Sequence, residues 1–593
     1  MTSTNRALAR IFKEMAGIYE FSGAGDRFRV LAYQKAARVL AGLEEDVSKY
    51  VAPNQLEELP GIGESIAEKI KEYLETGKIA KFESLKTTVP HELLDMLDIK
   101  GFGPQSLKQI SSVLGIKTRA GIVKALEDGS IGRLKGFGPK KVENMMKGLK
   151  LHKTLEERML LWDALELGET IAGRLKQLPE VKKVELAGSL RRGKETIGDI
   201  DILVAAEDRH RNTIMNFFTG WANIGQVLAR GDTKVSAIIK DHLRQVDIRL
   251  VHRDEWGAAL QYFTGSKEHN VHLRAIAKDM GLKISEYGVF RVKDNKRIAG
   301  EEEEDVYRAL DFRCMPPEMR EDRGELELAA RHKIPELVTL GDIRGDLQMH
   351  TTWSDGMHSI EEVARYVKKH LPYRYIVLTD HSKASRIAKG MDEKQFLEQM
   401  NAIREVNEKL GEDFVKSGAE VDILPDGSLD LSDELLGQLD IVVGSIHSSF
   451  NRDNTDRIIK ACENPYIAII GHPTGRLIGT REAYPVDMRR VIEAAAETGT
   501  ALEINAQPNR MELNDEWARL AREKGVKLVI STDMHQLSNF NYMKLGVTVA
   551  RRAWCTADDI LNTGKWKDVQ AFAERKRKGA VSKGSKLLRW LHG

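Results

Sequence analysis

Six apolar runs between residues 340 and 593 each lead to a side chain that can ligate a metal. They are Asp346-Leu347-Gln348-Met349-His350, Ile376-Val377-Leu378-Thr379-Asp380-His381, Gly418-Ala419-Glu420, Ile441-Val442-Val443-Gly444-Ser445-Ile446-His447, Ile467-Ala468-Ile469-Ile470-Gly471-His472 and Leu528-Val529-Ile530-Ser531-Thr532-Asp533-Met534-His535. A seventh run, Thr500-Ala501-Leu502-Glu503-Ile504-Asn505, has the same shape without a histidine. Buried parallel strands read as short apolar runs, and in a β/α barrel the site gathers at their C-terminal ends. The repetition therefore predicts one barrel rim holding several metal ions. His, Asp and Glu suit Zn²⁺ and Mn²⁺, and a shared carboxylate can bridge two ions.

At 593 residues the chain should form about three to five domains. Charged residues make up 30% and apolar ones 41%, which predicts a chain that is soluble and able to bury cores. Net charge is only +2, so any nucleic-acid surface must be local. Two stretches qualify. One carries Arg133, Lys135, Lys140, Lys141, Lys147 and Lys150; the other carries Arg575, Lys576, Arg577, Lys578, Lys583, Lys586 and Arg589. Cys314, Cys462 and Cys555 are far apart and form no CxxC, which fits a reducing compartment. The first residues lack the apolar stretch of a signal peptide, and no apolar run approaches the roughly 18 residues of a membrane span. The expectation is a cytoplasmic monomer with no membrane partner.

Residues 1–150 read as helical and contain one pattern three times. Leu59-Pro60-Gly61-Ile62-Gly63, Ile99-Lys100-Gly101-Phe102-Gly103-Pro104 and Leu134-Lys135-Gly136-Phe137-Gly138-Pro139 each precede a helical segment. Paired glycines permit a tight turn onto a helix N-terminus with bare amides, which makes a phosphate site. The apolar residue between them would plug the core. Such contacts carry no base information, so binding would be salt-sensitive and indifferent to sequence. The repeats resemble helix-hairpin-helix motifs, which implies Na⁺ or K⁺ on loop carbonyls.

Gly188-Ser189-Leu190-Arg191-Arg192-Gly193 is followed by Gly198-Asp199-Ile200-Asp201-Ile202-Leu203-Val204. Strand side chains alternate, so Asp199 and Asp201 share a face and repel unless cations neutralise them. Asp247, in Gln245-Val246-Asp247-Ile248-Arg249-Leu250, can supply a third carboxylate. Three carboxylates can hold two Mg²⁺, with Ser189 and Arg192 at the turn where a triphosphate would sit.

With these motifs, residues 1–315 resemble a family X DNA polymerase of the nucleotidyltransferase superfamily. Tyr262-Phe263-Thr264-Gly265-Ser266, followed by Asn270 and Arg274, matches that family's sugar- and base-facing segment. The resemblance implies that Asp199 and Asp201 bind both ions (Mg²⁺ or Mn²⁺), and that Asp247 binds the catalytic ion and takes the primer hydroxyl proton. It also implies a nucleotide pocket of Gly188, Ser189, Arg192, Gly198, Tyr262, Phe263, Gly265, Asn270 and Arg274. Tyr262 and Phe263 would discriminate against a 2′-hydroxyl. Residues 1–90 resemble the family's small lyase domain, with Lys69 at the Schiff-base position and Tyr33 nearby. Here Glu64-Ser65 stands where lyase-active animal relatives carry an extra lysine, and Glu64 and Glu68 should raise the Lys69 pKa rather than depress it.

Residues 340–593 resemble the PHP (polymerase and histidinol phosphatase) domain, and the whole chain is similar to bacterial family X polymerases that carry it C-terminally. The resemblance implies three ions, Mn²⁺ or Zn²⁺. The first would take His350, Glu420 and Asp533, the second Asp355, His381 and His535, and the third Glu420, His447 and His472. The usual HxH opening is Gln348-Met349-His350 here, so the first ion should be held more weakly. The expected architecture is a multidomain α plus α/β chain. It has a lyase-like domain at 1–90, a fingers-like region at 91–150, a palm at 151–258, a thumb at 259–315, a linker at 316–345 and a distorted (β/α)7 barrel at 346–593. The expected function is template-directed filling of short gaps in DNA repair, including base excision repair, on gapped or primer–template DNA with deoxynucleoside triphosphates. A Mn²⁺-dependent 3′-5′ exonuclease would accompany it, with 5′-deoxyribose phosphate lyase as a further activity. The rival readings are a DNA-end scaffold stabilised by an inert barrel, and a phosphatase of small phosphomonoesters.

Overall fold

A computed structural model describes residues 3–22, 27–43, 46–51, 55–59, 61–86, 89–99 and 101–591; side chains are described except at 150–157, 579–591 and a few positions before 100. Pro60 and Lys100 of the glycine repeats, and the side chains of Lys150, Lys583, Lys586 and Arg589, lie outside what is described. The chain divides into two compact units.

The first unit holds Met1–Glu156 together with Leu477–Glu482 and Gln536–Ser538. Its helices surround two separate apolar cores. One gathers Leu8, Phe12, Met15, Tyr19, Tyr33, Ile62, Ile70 and Val89. The other gathers Leu93, Phe102, Ile110, Ile122, Phe137 and Met145. The middle residues of the three glycine repeats, Ile62, Phe102 and Phe137, are all buried in these cores. Burying each of them contributes roughly 1.5–3 kcal/mol, which anchors the loops from below.

The second unit begins with a short antiparallel pair, β1 (Met159–Leu160) and β3 (Thr196–Ile197). A five-stranded sheet follows, of β2 (Lys183–Leu186), β4 (Ile200–Ala205), β5 (Ile224–Arg230), β6 (Lys234–Ile239) and β7 (Arg244–Val251), in the order β2-β4-β7-β6-β5. β4 and β7 run parallel, and the other pairs are antiparallel. Next comes an antiparallel meander of β8 (Leu282–Ser285), β9 (Gly288–Arg291) and β10 (Lys296–Ala299).

The segment 316–345, expected as a connector, is packed rather than open. Met319, Leu326 and Ala329 join the core of Ala258, Leu273, Val306 and Tyr307. Arg320 is fully buried, with Nη1 on Glu303 Oε1 at 2.5 Å and two bonds to the Met315 carbonyl.

Seven parallel strands follow: β11 (Gly345–Asp346), β12 (Tyr375–Leu378), β13 (Val415–Asp422), β14 (Ile441–Ser445), β15 (Ile469–Ile470), β16 (Ala501–Asn505) and β17 (Leu528–Ser531), hydrogen-bonded in chain order. A parallel bridge between Met349 and Met534 carries the pairing from the last strand back to the first, so the sheet is nearly closed. Intervening helices carry strong start signals. Ser359 and Glu362 form a capping box before Ile360–His370, and Lys368, Lys369 and His370 complement its C-terminal dipole.

The final helix, Trp566–Leu591, shuts the opposite end of the barrel from the strand tips. Phe572 and Ala573 pack on Leu347, Tyr375 and Val443. Buried Lys576 donates to Thr500 Oγ1 (2.5 Å) and to the Ile467 carbonyl, and Arg577 donates to the Leu439 carbonyl at 2.7 Å. This withdraws Lys576 and Arg577 from the nucleic-acid patch expected on the tail, because both satisfy carbonyls at the barrel base. Among the described residues, no helix is long and apolar enough to cross a membrane.

Candidate functional site

The parallel register of β4 and β7 sets Asp201 directly beside Asp247, and Asp199 precedes Asp201 by two residues on the same face. Carboxylate oxygens of all three lie within 4.8 Å of one another. Asp199 is exposed and Asp247 buried, so the cluster runs from solvent into the sheet. Burial, then the charges of Asp199 and Asp247, push the Asp201 carboxyl up to about 7. Burial also raises Asp247, but hydrogen bonds from Lys234, Gln245 and Ser236 outweigh it and bring the group below the usual range. Lys234 Nζ stands 2.5 Å from Asp247 Oδ2, supplying the positive charge such a cluster requires. The donor set is all hard oxygen with one face open, which fits Mg²⁺ or Mn²⁺. A cavity of about 120 Å³ adjoins it, lined by Asp201, Lys234, Asp247, Arg249 and Phe263 among others.

The turn Gly188–Arg192 presses on this cluster. Gly188 has φ +61°, and a Cβ there would meet Asp201 Oδ2 at 2.2 Å, so only glycine fits. Ser189 is half-buried beside it. Gly198 is also half-buried, and a Cβ there would lie 3.3 Å from Arg158 Nη1. Gly265 has φ +72°, and its Cα faces Arg192 Nη1, which lies 3.1 Å from where a Cβ would stand. Phe263 lines the cavity beneath the Arg249 guanidinium, 4.4 Å from its ring centroid, and Tyr262 packs edge-on against it at 5.1 Å.

Two expected nucleotide contacts are differently engaged. Asn270 is buried, donating to the Tyr262 carbonyl (2.8 Å) and accepting from Gln261 (2.7 Å), so its amide fixes the Tyr262 turn. Arg192 is turned toward Glu321 and the Thr264 carbonyl, at 3.1 and 2.5 Å. Arg274 is exposed.

At the barrel rim the strand tips bring the expected ligands together. His350, Glu420 and Asp533 form one group, and His350, Asp355, His381 and His535 a second. The third group is His381, Glu420 and His447. The expected third set had His472 in place of His381. A parallel bridge sets His381 beside Glu420, while His472 Nε2 is hydrogen-bonded to Glu420 Oε1 at 2.9 Å. Glu420 lies inside β13, not at its tip, which lets it reach the middle of the rim.

The rings crowd face to face. The His350 centroid is 4.4 Å from that of His381 and 4.3 Å from that of His535. Burial depresses His381 to about 4. Burial also acts to lower His447, but Glu420 and Asp422 raise it to about 10. Glu420 and Asp533, although buried, are held well below the usual range by the surrounding imidazoles.

Several donor atoms are buried without a hydrogen-bond partner: both ring nitrogens of His350, Nδ1 of His381 and of His472, and Oε2 of Glu420. His381 Nδ1 lies 3.1 Å from Glu420 Oε2 and still makes no hydrogen bond. Orphaned imidazole nitrogen and carboxylate oxygen converging on shared points are the arrangement divalent cations satisfy. Gln348 is fully buried with neither amide atom satisfied.

In the first unit each repeat uses its two glycines differently. Gly61, Gly101 and Gly136 have φ of +107°, +98° and +84°, and a Cβ on Gly101 would sit 2.8 Å from Met145 Cγ. Gly63, Gly103 and Gly138 are exposed, with nothing within 4 Å of where a Cβ would be. Helices start directly after Gly63 and Gly103, which serve as their N-caps. Arg133, Lys135 and Lys140 are exposed beside the third loop.

Tyr33 is only 6% exposed and stacks on Tyr19 at 5.7 Å, so it serves the core rather than a DNA surface. Lys69 donates to the Ser65 carbonyl and hydroxyl at 2.7 and 2.9 Å. Its pKa is lowered, first by burial and further by Arg29 and Lys81, against Glu68 and Glu72. The expected upward shift is reversed because burial and two distant-in-sequence cations prevail.

Sequence reasoning missed Lys234, Arg249 and Asp422. Asp422 Oδ1 stands 3.3 Å from His447 Nδ1 and orients that ring. The run Gly418-Ala419-Glu420 signals Asp422 through strand alternation, which puts residue 422 on the face of 420. Lys234 carries no such signal, because only the register of the β6–β7 hairpin, which pairs Ser236 with Asp247, brings its side chain to the cluster.

Family models match three stretches: a helix-hairpin-helix domain over residues 3–79, a SAM-like helix-hairpin-helix tandem over 93–151, and a DNA polymerase beta thumb over 259–321. A DNA polymerase/3'-5' exonuclease PolX of Bacillus subtilis (strain 168) is 38% identical over 573 residues, covering 96% of this chain and 99% of the relative. A protein named probable phosphatase from Thermoanaerobacter sp. (strain X514) is 33% identical over 39% of this chain and 96% of its own length. DNA polymerase lambda of Rattus norvegicus is 26% identical over 49% of each chain. Carboxylates on a nucleotidyltransferase-like sheet and an imidazole-rich barrel rim stand in one chain that aligns nearly end to end with PolX, and the chain belongs to that family, the family X polymerases bearing a PHP domain.

Proposed function

We propose that this chain is a template-directed DNA polymerase that fills short gaps during repair and carries a 3′-5′ exonuclease in its barrel. One observation carries the polymerase reading: Asp199, Asp201 and Asp247 converge beside a cavity and a glycine-lined turn. Asp199, Asp201 and Asp247 would hold two Mg²⁺ or Mn²⁺. Up to three Mn²⁺ or Zn²⁺ would be held by His350, Asp355, His381, Glu420, His447, His472, Asp533 and His535. Bound at either site, such ions lower the pKa of the attacking oxygen and neutralise charge on phosphate.

The chain's own groups do the rest. Asp247, fixed by Gln245 at 2.9 Å, accepts the primer 3′-hydroxyl proton. Ser189 and Arg192 hold phosphate oxygens. Tyr262 and Phe263 lie against the deoxyribose and exclude a 2′-hydroxyl, and Asn270, which also fixes Tyr262, and Arg274 face the minor-groove edge of the nascent pair. The loops at Gly61–Gly63, Gly101–Gly103 and Gly136–Gly138 grip the DNA backbone, with Na⁺ or K⁺ on their carbonyls. In the barrel, Asp422 aims His447, and Asp355 stands 3.4 Å from His535. The depressed amine of Lys69 supports a lyase step at a 5′-deoxyribose phosphate.

A pure scaffold would have no use for unsatisfied buried imidazoles, which disfavours the inert-barrel reading. Primer extension on a one-nucleotide gap, with Mg²⁺ and then Mn²⁺ and a labelled 3′ end, tests the proposal. Extension with Mg²⁺ and 3′ shortening with Mn²⁺ support it. No extension overturns it. Phosphate release from small monoesters without 3′ shortening would make the barrel a phosphatase.

A further inference from the structure

The turn that carries Arg192 is seated on the barrel. A Cβ at Gly193 would meet Thr548 Cγ2 at 2.1 Å, so the backbone after Arg192 touches the barrel helix Met543–Arg552 directly. That helix ends on Arg552, whose Nη1 donates to the Arg192 carbonyl (2.7 Å) and to Glu321 Oε1 (3.0 Å). Its Nη2 donates to Asp515 at 2.8 Å. Glu321 Oε1 also receives Arg192 Nε at 3.1 Å, and Glu321 Oε2 lies 3.2 Å from Lys194 Nζ. Asp515 in turn pairs with Arg323 at 3.1 Å. Two carboxylates thus serve four cations, and the side chains of Glu321 and Arg552 are 10% and 4% exposed.

This network bears on the phosphate contact. Arg192 spends Nε on Glu321 and an Nη1 hydrogen on the Thr264 carbonyl, so a bidentate grip on a triphosphate through its Nε–Nη edge competes with Glu321. To present that edge to phosphate it releases Glu321. Releasing a buried carboxylate is costly only if it is left unpaired. Lys194 and Arg552 remain on Glu321, so the carboxylate stays satisfied when Arg192 departs. Were Arg552 absent, Glu321 would depend more on Arg192 and hold it more tightly.

We propose that Glu321 latches Arg192 away from the triphosphate and that Arg552, from the barrel, sets how readily the latch opens. The barrel then tunes nucleotide affinity at the polymerase site, with Glu321 and Arg552 as positioning residues that never touch substrate. The inference rests on the reading of Arg192 as a phosphate contact.

The test is steady-state extension of a one-nucleotide gap by the full chain, with KM for dNTP and kcat measured separately and melting temperature followed in parallel. The variants are Arg192→Ala, Arg552→Gln, Glu321→Gln and the double variant Glu321→Gln/Arg552→Gln. Arg552→Gln should raise KM about fivefold, the lower end of common coupling strengths, with kcat little changed. Glu321→Gln should lower KM below wild type, and the double variant should match Glu321→Gln to within about twofold, because Arg552 acts on Arg192 through the Glu321 carboxylate. Opposite signs, with Glu321→Gln masking Arg552→Gln, are not what a merely structural contact gives. If Arg192→Ala raises KM while both single variants leave it unchanged, the latch is overturned alone. The latch is equally overturned if both singles raise KM with falling melting temperature and the double variant is worse. If Arg192→Ala leaves KM unchanged, the phosphate role of Arg192 fails and takes the latch with it.

Discussion

The five-stranded sheet of the palm and the barrel each gather carboxylates from neighbouring parallel strands, yet they make opposite kinds of site. The palm cluster is three carboxylates grading from exposed Asp199 to buried Asp247, with an ammonium drawn in beside them. The barrel cluster interleaves imidazoles with carboxylates and buries His350, His381, Glu420, His472 and Asp533, leaving Asp355, His447 and His535 half-buried at its mouth. An open oxygen-only cluster suits ions that arrive with nucleotide and leave with pyrophosphate. A buried nitrogen-rich one suits ions that stay, because departure would strand desolvated donors. Position on a strand is therefore a weak guide to metal behaviour, and the share of imidazole and the depth of burial are stronger guides.

The largest effect expected from breaking this contrast is at the palm. Asp247→Ala should cut nucleotide addition by on the order of a thousandfold or more while gapped-DNA affinity and Mn²⁺-dependent 3′ degradation persist. Equal extension by variant and wild type would remove the palm assignment. Next, His381→Ala with His447→Ala should abolish 3′ degradation and the metal retained after dialysis, leaving extension within about threefold, since sites without shared partners act independently. Metal analysis and gel assays on one preparation check both. Retention of metal by the double variant would show that the rim binds otherwise.

Smaller effects sharpen the picture. Gly103→Val should weaken gapped-duplex binding by about tenfold without sequence preference, because the new side chain meets only an approaching phosphate. Gly101→Val is not equivalent, since its positive φ and the nearby Met145 backbone make it a folding variant. A change at Gly103 confined to particular sequences would sink the phosphate cradle. Gln348→His should tighten Mn²⁺ at the first ion by about tenfold by titration, an imidazole replacing an unsatisfied amide. Unchanged affinity would mean residue 348 faces away from the ion. Smallest of all, borohydride should trap a covalent adduct on a 5′-deoxyribose phosphate end that Lys69→Ala loses. Trapping that survives the substitution would assign the amine elsewhere.

Much of this site could be read along the chain because the fold repeats one device. A parallel strand ending at a rim needs an apolar run and then a polar tip, so His350, His381, His447, His472 and His535 announce themselves in order. The same logic gave Asp199 and Asp201 through alternation. Lys234 and the approach of His381 to Glu420 and His447 were hidden, since both depend on the register of neighbouring strands. Burial misled twice. Tyr33 and Lys576 look like surface residues by type, and each lies inside a core that only tertiary packing defines. The packed state of 316–345 was masked by its high charge, much of which is spent internally, as Glu303 and Arg320 illustrate.

The last helix gives the chain an order of assembly. Phe572 and Lys576 stop the base of a barrel whose first strand lies more than 200 residues upstream. During synthesis the sheet of the palm and the meander after it are complete long before that plug emerges from the ribosome. The barrel's floor stays wet until residue 576 arrives, and buried imidazoles at the other end of the same strands cannot be held in register above a solvated base. Nuclease competence is thus the last property a nascent chain acquires, after the half that synthesises DNA has already folded.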